Sequence, residues 1–325
     1  MPVNLIFIHV GDKNISYLND SINQATIFNK NINIYLISNK KTFSNLKYKI
    51  KKKIIFKDIN KIVLKENHLN FIKYNLLDAK WYNGFWKNTT ERFFYLQNVV
   101  ETQNLKNIIH VENDLMIYFN IKSKLKIFEK KYDVGLLLDS NVKAIPSFLY
   151  FKNLKNINEF INFFEKQHSI INKLIGLTFG KIYFRIFNKN LYSKNDMDIL
   201  YNYYKSNLTN KKINILPSST PTLKTNKDYS KNINLSKNFK DFHGIFDPAA
   251  FGFYLDGFDK NTIFDKKKID KKMGVLKSAV DVTKYKIYFK SFNNKKVPYI
   301  LDDGKKIKLL TLHIHSKRLY KFLSK

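Results

Sequence analysis

The stretch VNLIFIHVGD, Val3 to Asp12, decides the fold class. Its apolar run from Val3 to Val10 suits a buried strand, and Gly11-Asp12 ends that run with turn residues. Outward from it, Ile15, Leu18, Ile22, Ala25 and Ile27 form a helix-like stretch, and Ile32 to Ile37 supplies a second apolar run. Two such strands joined by a helix predict a parallel βαβ unit. Asp20 and Ser21 are expected as caps inside the connection, and Asn29-Lys30-Asn31 as its stop. Ligands of open parallel sheets gather at the carboxyl ends of the strands, which puts His9, Gly11 and Asp12 near a candidate site.

The same alternation continues. Short strands or turns are expected over Ile50 to Ile62, a helix over Glu66 to Leu77, and an aromatic loop over Trp81 to Trp86. A helix from about Thr89 to Gln103, capped by Thr89 or Thr90, carries Phe93, Leu96, Val99 and Val100 on one face. The strand Ile108 to Val111 follows. Asp133 to Leu138, Pro146 to Phe151 and Ile213 to Leu216 read as further strands, and Leu154 to Gln167 and Asp196 to Lys205 as helices. The polar segment Asn226 to Lys240 is expected as a mobile loop. Val297 to His315 reads as two strands around the turn Asp302-Asp303-Gly304, and Lys317 to Leu323 as a closing helix. With no repeat and no Pro- or Gly-rich linker, residues 1–325 predict a single α/β domain with a mixed, mainly parallel sheet flanked by helices.

Composition bounds the chemistry. The chain has 325 residues and 44% hydrophobic content, enough for a core, and lacks cysteine, which removes disulfides, thiol nucleophiles and Cys-ligated metals. Any metal must sit on oxygen and imidazole. Lys+Arg 58 against Asp+Glu 26 leaves +32, spread along the chain rather than gathered on one arm. That spread fits A/T-rich coding and argues against nucleic acid as the partner, while a positive field still speeds the arrival of anionic ligands. No apolar run is long enough to span a membrane or form a signal peptide's core, so a cytoplasmic location is expected. His168 to Phe187, where Lys173, Lys181 and Arg185 punctuate apolar residues, suits a lid or core helix or a peripheral membrane contact.

Two motifs carry chemistry. Glu112-Asn113-Asp114 directly follows an apolar strand, and residues two apart in an extended chain point the same way, so two carboxylates share the sheet's carboxyl edge. Such a pair suits Mg²⁺ or Mn²⁺ bridging to substrate phosphates, and equally a cap or solvated turn. LHIHSKR, Leu312 to Arg318, places His313 and His315 on one face of a strand and adds two cations. Paired imidazoles suit a transition metal and Lys with Arg suit phosphate; together with the carboxylates they favour Mn²⁺ over Mg²⁺.

These elements resemble the layout of glycosyltransferases of the GT-A fold, a Rossmann-like architecture. FDPAAFGFYLDGFD (246–259) and LHIHSKRLYKF (312–322) are similar to motifs of an uncharacterised GT-A-like group found in bacteria and large DNA viruses. The resemblance implies a nucleotide-sugar-binding half over residues 1–120 and an acceptor half with a metal and diphosphate segment over 121–325. It implies that Asp114 binds the metal, with His313 or His315 completing the shell, and that Glu112 shares the metal or touches ribose or donor sugar. It implies Lys317 on the diphosphate, Arg92 on the diphosphate or sugar, and His9, Gly11 and Gln24 around the nucleotide base. Asp247 and Asp196 are its candidates for the acceptor-side base, and both also suit helix caps. Phe253 and Lys277-Ser278 depart from the group's pattern, where an amide and Asn-Glu are expected.

The implied activity is transfer of a sugar from a UDP- or GDP-linked donor to a glycan, lipid-linked or protein acceptor. A polyanion-binding protein without catalysis, and a sugar- or lipid-binding module on the same fold, are the competing expectations. No GxxxxGK[ST] loop, HExxH helix or GxSxG turn supports another enzyme class.

Overall fold

The computed structural model describes residues 2–11, 15–46, 53–77, 84–168, 195–209, 212–253, 255–256 and 278–324. The leading unit is the expected one: β1 (Asn4–Ile8), α1 (Tyr17–Phe28) and β2 (Asn33–Ser38), with β1 and β2 parallel from Asn4 opposite Asn33 to Ile8 opposite Ile37. After α2 (Lys40–Leu46) comes β3 (Ile55–Asp58), then α3 (Glu66–Tyr74), α4 (Phe85–Thr102), β4 (Ile108–Val111) and β5 (Leu115–Ile117). The second half adds α5 (Leu125–Lys131), β6 (Val134–Ser140), β7 (Lys143–Phe151), α6 (Leu154–Gln167), α7 (Asp196–Ser206) and β8 (Ile213–Ile215). A three-stranded sheet of β9 (Tyr288–Phe292), β10 (Lys295–Asp302) and β11 (Lys305–Lys308) precedes β12 (Thr311–His313).

The central sheet runs β3-β2-β1-β4-β7-β6-β8. Its first four strands are parallel, β7 is antiparallel to both β4 and β6, and β6 and β8 are parallel. The chain leaves β1 toward β2 and β3 and returns on the other side to β4. That reversal makes the carboxyl ends of β1 and β4 the switch point, the place where such sheets hold ligands.

Alternation along the strands sorts the core into two layers. Leu5, Phe7, Ile34 and Leu36 gather with Leu18, Ile22 and Ala25 of α1. Ile6, Ile8 and Tyr35 gather with Phe93, Leu96 and Val100 of α4 and with Phe160 and Phe164 of α6. Fully burying one such side chain stabilises by about 1.5–3 kcal/mol, so both faces of the sheet are committed to helices. No described helix is long and apolar enough to cross a membrane.

Several local expectations are corrected. Helix α4 starts at Phe85, four residues before Thr89, because Gly84 takes φ +73° at the preceding position; Thr89 bonds back to the Trp86 carbonyl within the helix. Ser21 is no cap, since it is buried in α1 and donates to the Leu115 carbonyl. The segment 226–240 is anchored rather than loose: Leu235 is buried and its carbonyl accepts from the amides of Ser218 and Ser219. Asp12, the first part of the aromatic loop (81–83), the stretch 169–187 and Lys277 lie outside the described residues.

Candidate active site

The acidic triplet sits at the carboxyl ends of β1 and β4. The Glu112 amide donates to the Ser147 carbonyl at 3.0 Å, and Asn113 Nδ2 donates to the Ile8 carbonyl at 3.0 Å, which ties the triplet to the end of β1. His9 and Gly11 follow on β1; Gly11 takes φ +104°, and the Asn39 amide donates to its carbonyl. The triplet leads into β5, and β12 pairs antiparallel with β5 so that His313 stands opposite Leu115. The Ile314 amide then donates to the Asp114 carbonyl at 3.1 Å. Backbone register therefore delivers the C-terminal imidazole to the acids.

The side chains meet as that register dictates. His313 Nε2 lies 3.0 Å from Asp114 Oδ1 and 3.4 Å from Glu112 Oε2. The Lys317 ammonium pairs with Asp114 Oδ2, and Arg92 Nη2 lies 2.8 Å from Glu112 Oε1 and 2.8 Å from Asp196 Oδ2. Burial pushes the Asp114 carboxyl up, but His313 and Lys317 outweigh it and hold the group well below the usual carboxylate range. For His313, burial pulls the imidazole down while Asp114 and Glu112 lift it to about 9. Lys317 is likewise held above its ordinary value by Asp114, against burial.

Ligand-type atoms of Glu112, Asp114 and His313 all lie within 4.8 Å of one another. Two carboxylates and an imidazole form an oxygen and nitrogen set suited to Mn²⁺ or Mg²⁺. His315 lies 4.7 Å from His313, centroid to centroid, and its Nε2 is buried without a hydrogen-bond partner among the described residues. His315 does not join the three-residue cluster: β12 ends at His313, and the His315 ring packs on Phe253 at 4.4 Å. Burial, then His313 and Lys317, depress it well below the ordinary histidine range.

The two acceptor-side candidates are engaged elsewhere. Asp247 is fully buried, and its carboxylate accepts from five backbone amides, those of Ala249, Ala250, Phe251, Gly252 and His313, at 2.7–3.3 Å. It folds the FDPAAFG turn onto the backbone of His313, and the described residues that follow directly, 248–253, form turns rather than a helix. Asp196 does not cap α7; Asn195 does, accepting from the amides of Met197 and Asp198. Asp196 instead shares Arg92 Nη2 with Glu112. Burial, opposed by Arg92, sets its carboxyl at about 6.

Gln24 does not join the site. Its amide is consumed in the core by the Ile117 carbonyl at 3.1 Å and by the side chain and amide of Ser324 at 3.0 and 2.9 Å. Asp139, absent from the sequence expectations, belongs near the site: it is buried near the end of β6, its Oδ1 accepts from Ser278 Oγ at 2.7 Å, and burial raises its carboxyl against Lys143, with Asp247 and His313 acting on it more weakly. A lone acid closing the buried run GLLLD (135–139) is the cue that marks it.

No protein-family model matches the chain, and no curated protein matches it. Solved structures do. The chain is similar to mouse xyloside xylosyltransferase 1 in its apo form, at 12% identity over 67% of this chain and 86% of that one, TM-score 0.43. It is similar to PaToxG glycosyltransferase at 14% identity over 63% and 68%, TM-score 0.39. It is similar to the galactosyltransferase LgtC in complex with donor and acceptor sugar analogs at 11% identity over 66% and 74%, TM-score 0.40. Overlaps this distant assign no activity.

Proposed function

We propose that this chain is a metal-dependent glycosyltransferase that moves a sugar from a UDP- or GDP-linked donor to a glycan, lipid-linked or protein acceptor. The observation that supports it is the meeting of Glu112 and Asp114 with His313 and Lys317, across up to 203 positions of sequence, at the switch point. Asp114, Glu112 and His313 would hold the divalent cation. When bound there, the cation supplies a Lewis acid for the charge that develops on a leaving diphosphate. Lys317, kept charged by Asp114, adds a point charge on the same side. Arg92 is fixed between Glu112 and Asp196 and keeps a buried Nε unpartnered among the described residues, a donor for a diphosphate or sugar oxygen. His9 and Gly11, at the end of β1, would receive the nucleoside.

Asp247 and Asp196 take positioning roles in this reading, on His313 and Arg92 respectively. An acceptor-side base is then required of another group only if the reaction inverts configuration.

Thermal shift with UDP and GDP, each with and without Mn²⁺, tests the assignment. One nucleotide should raise the melting temperature in Mn²⁺ well beyond the sum of the separate shifts, and Asp114→Ala and the milder Asp114→Asn should both remove the excess. A folded Asp114→Asn protein that keeps the full metal-dependent shift would sink the proposal.

A further inference from the structure

The three-stranded sheet β9-β10-β11 has one face turned into the protein and one that is exposed at Tyr288, Lys290, Phe292, Leu301 and Lys306, while Lys295 on that face reaches back to the Ile27 carbonyl. Inward, Ile300 is fully buried, and Phe289, opposite Pro298, stacks on Phe322 at 5.9 Å. Outward, register places Tyr288 opposite Tyr299 and Leu301 opposite Lys306, with exposed Lys290 opposite Val297, which is half-buried against the core. Directly opposed residues of an antiparallel pair share a face, so rings, aliphatic groups and lysines interleave there. Phe292 continues that face to the hairpin tip and is 68% exposed, with Leu301 at 40% and Tyr288 at 37%. The tip is a tight turn in which Asn293 and Asn294 both take positive φ, and it carries the phenyl ring outward.

Carboxylates are kept off this face. Asp302 points inward to Thr222 and Thr220, and Asp303 occupies the turn at the other end of β10. Lys286 lies over the Tyr288 ring at 5.6 Å and Lys306 over the Tyr299 ring at 5.6 Å, so the ammonium groups flank the rings.

The geometry points to this face as a docking surface for an anionic phospholipid bilayer. Lysine charges near an anionic membrane each contribute favourably, and Tyr and Phe rings settle at the headgroup level where one end is apolar and the other wet. Charge complementarity alone would also admit a nucleic acid, but Tyr288 and Tyr299 already stack on each other at 5.6 Å and 24°, which uses up ring faces that bases would need. The exposed Phe292 and Leu301 bring apolar area suited to acyl chains rather than to phosphate. The surface is separate from the metal-type cluster, so it stands or falls independently of the proposed reaction.

Flotation of the full chain with phosphatidylcholine vesicles, with and without phosphatidylglycerol, tests it. Binding should require phosphatidylglycerol and fall about tenfold or more in Lys290→Glu/Lys306→Glu. Lys155→Glu/Lys126→Glu, the same charge change at exposed positions on α6 and α5, should cost about twofold or less. Phe292→Trp should show a blue-shifted emission increment on the anionic vesicles. Equal losses in the two double variants would mean that total charge alone attracts the lipid, and would overturn the proposal. So would a Trp at position 292 that stays solvent-like on bound vesicles, or binding of single-stranded RNA through this face with no vesicle binding.

Discussion

At Asp247 a carboxylate is spent on holding backbone. Five amides converge on two oxygens, and one of them belongs to His313, whose imidazole completes the acidic cluster. Asp247→Asn would turn one acceptor into a donor facing N–H groups, and should cost about 3 kcal/mol in urea unfolding. Gly252 closes the same turn. A Cβ there would lie 2.3 Å from the His313 carbonyl oxygen and 2.6 Å from its carbon, so Gly252→Ala must move the backbone that carries the imidazole. Mn²⁺ affinity, read by loss of the free-ion EPR signal, should fall about tenfold or more, the usual effect of disturbing a ligand's support. Unchanged affinity would free His313 from that support. Asp196 offers a test by pH, because burial raises its carboxyl from 3.8 to about 6. A group that binds its proton more tightly in the folded state stabilises below its unfolded value, and loses that contribution as pH rises through the folded one. The stability of wild type relative to Asp196→Asn should therefore fall by about 2 kcal/mol between pH 4 and pH 7. A flat difference would contradict a raised value.

Helix α1 and the last residues form one clamp between elements. Gln24 joins the Ile117 carbonyl of β5 to Ser324, while Tyr118 Oη donates to the Phe322 carbonyl at 2.9 Å. Gln24→Leu would strand buried partners and should cost about 2 kcal/mol, yet leave the metal-dependent nucleotide shift intact. A lost shift with unchanged stability would restore Gln24 to the nucleotide site. The β1-α1-β2 unit was legible in sequence because its apolar runs are short, buried on both faces and bounded by turn residues such as Gly11-Asp12 and Asn29-Lys30-Asn31. Ser21 and Gln24 were not, because their polar atoms serve β5 and the C-terminal residues, contacts that local pattern does not encode. Glu112, Asp114 and His313 could be named from their places at strand ends. What brings them together is the β5/β12 register, in which Leu115 and Met116, directly after the triplet, pair with His313 and Leu312 from far along the chain, a long-range contact that local pattern does not encode.

For the whole molecule, the +32 charge acts against compactness. Like charges spread over a folded surface repel more strongly than along an expanded chain, so the folded state should gain from screening. Raising salt from about 10 to about 100 mM shortens the screening length from about 30 to about 10 Å. The buried pairs of Arg92 with Glu112 and of His313 with Asp114 are screened far less, so the sign is set by the exposed lysines. The melting temperature should climb by a few degrees over that range, at about 2–4 °C per kcal/mol. Vesicle capture should move the other way, since the same ions weaken the attraction between Lys290, Lys306 and anionic headgroups. Melting scans and flotation run on one salt series check both signs together. A melting temperature that drops with salt would show that surface attractions outweigh the repulsion, and vesicle binding indifferent to salt would leave apolar insertion as its whole driving force.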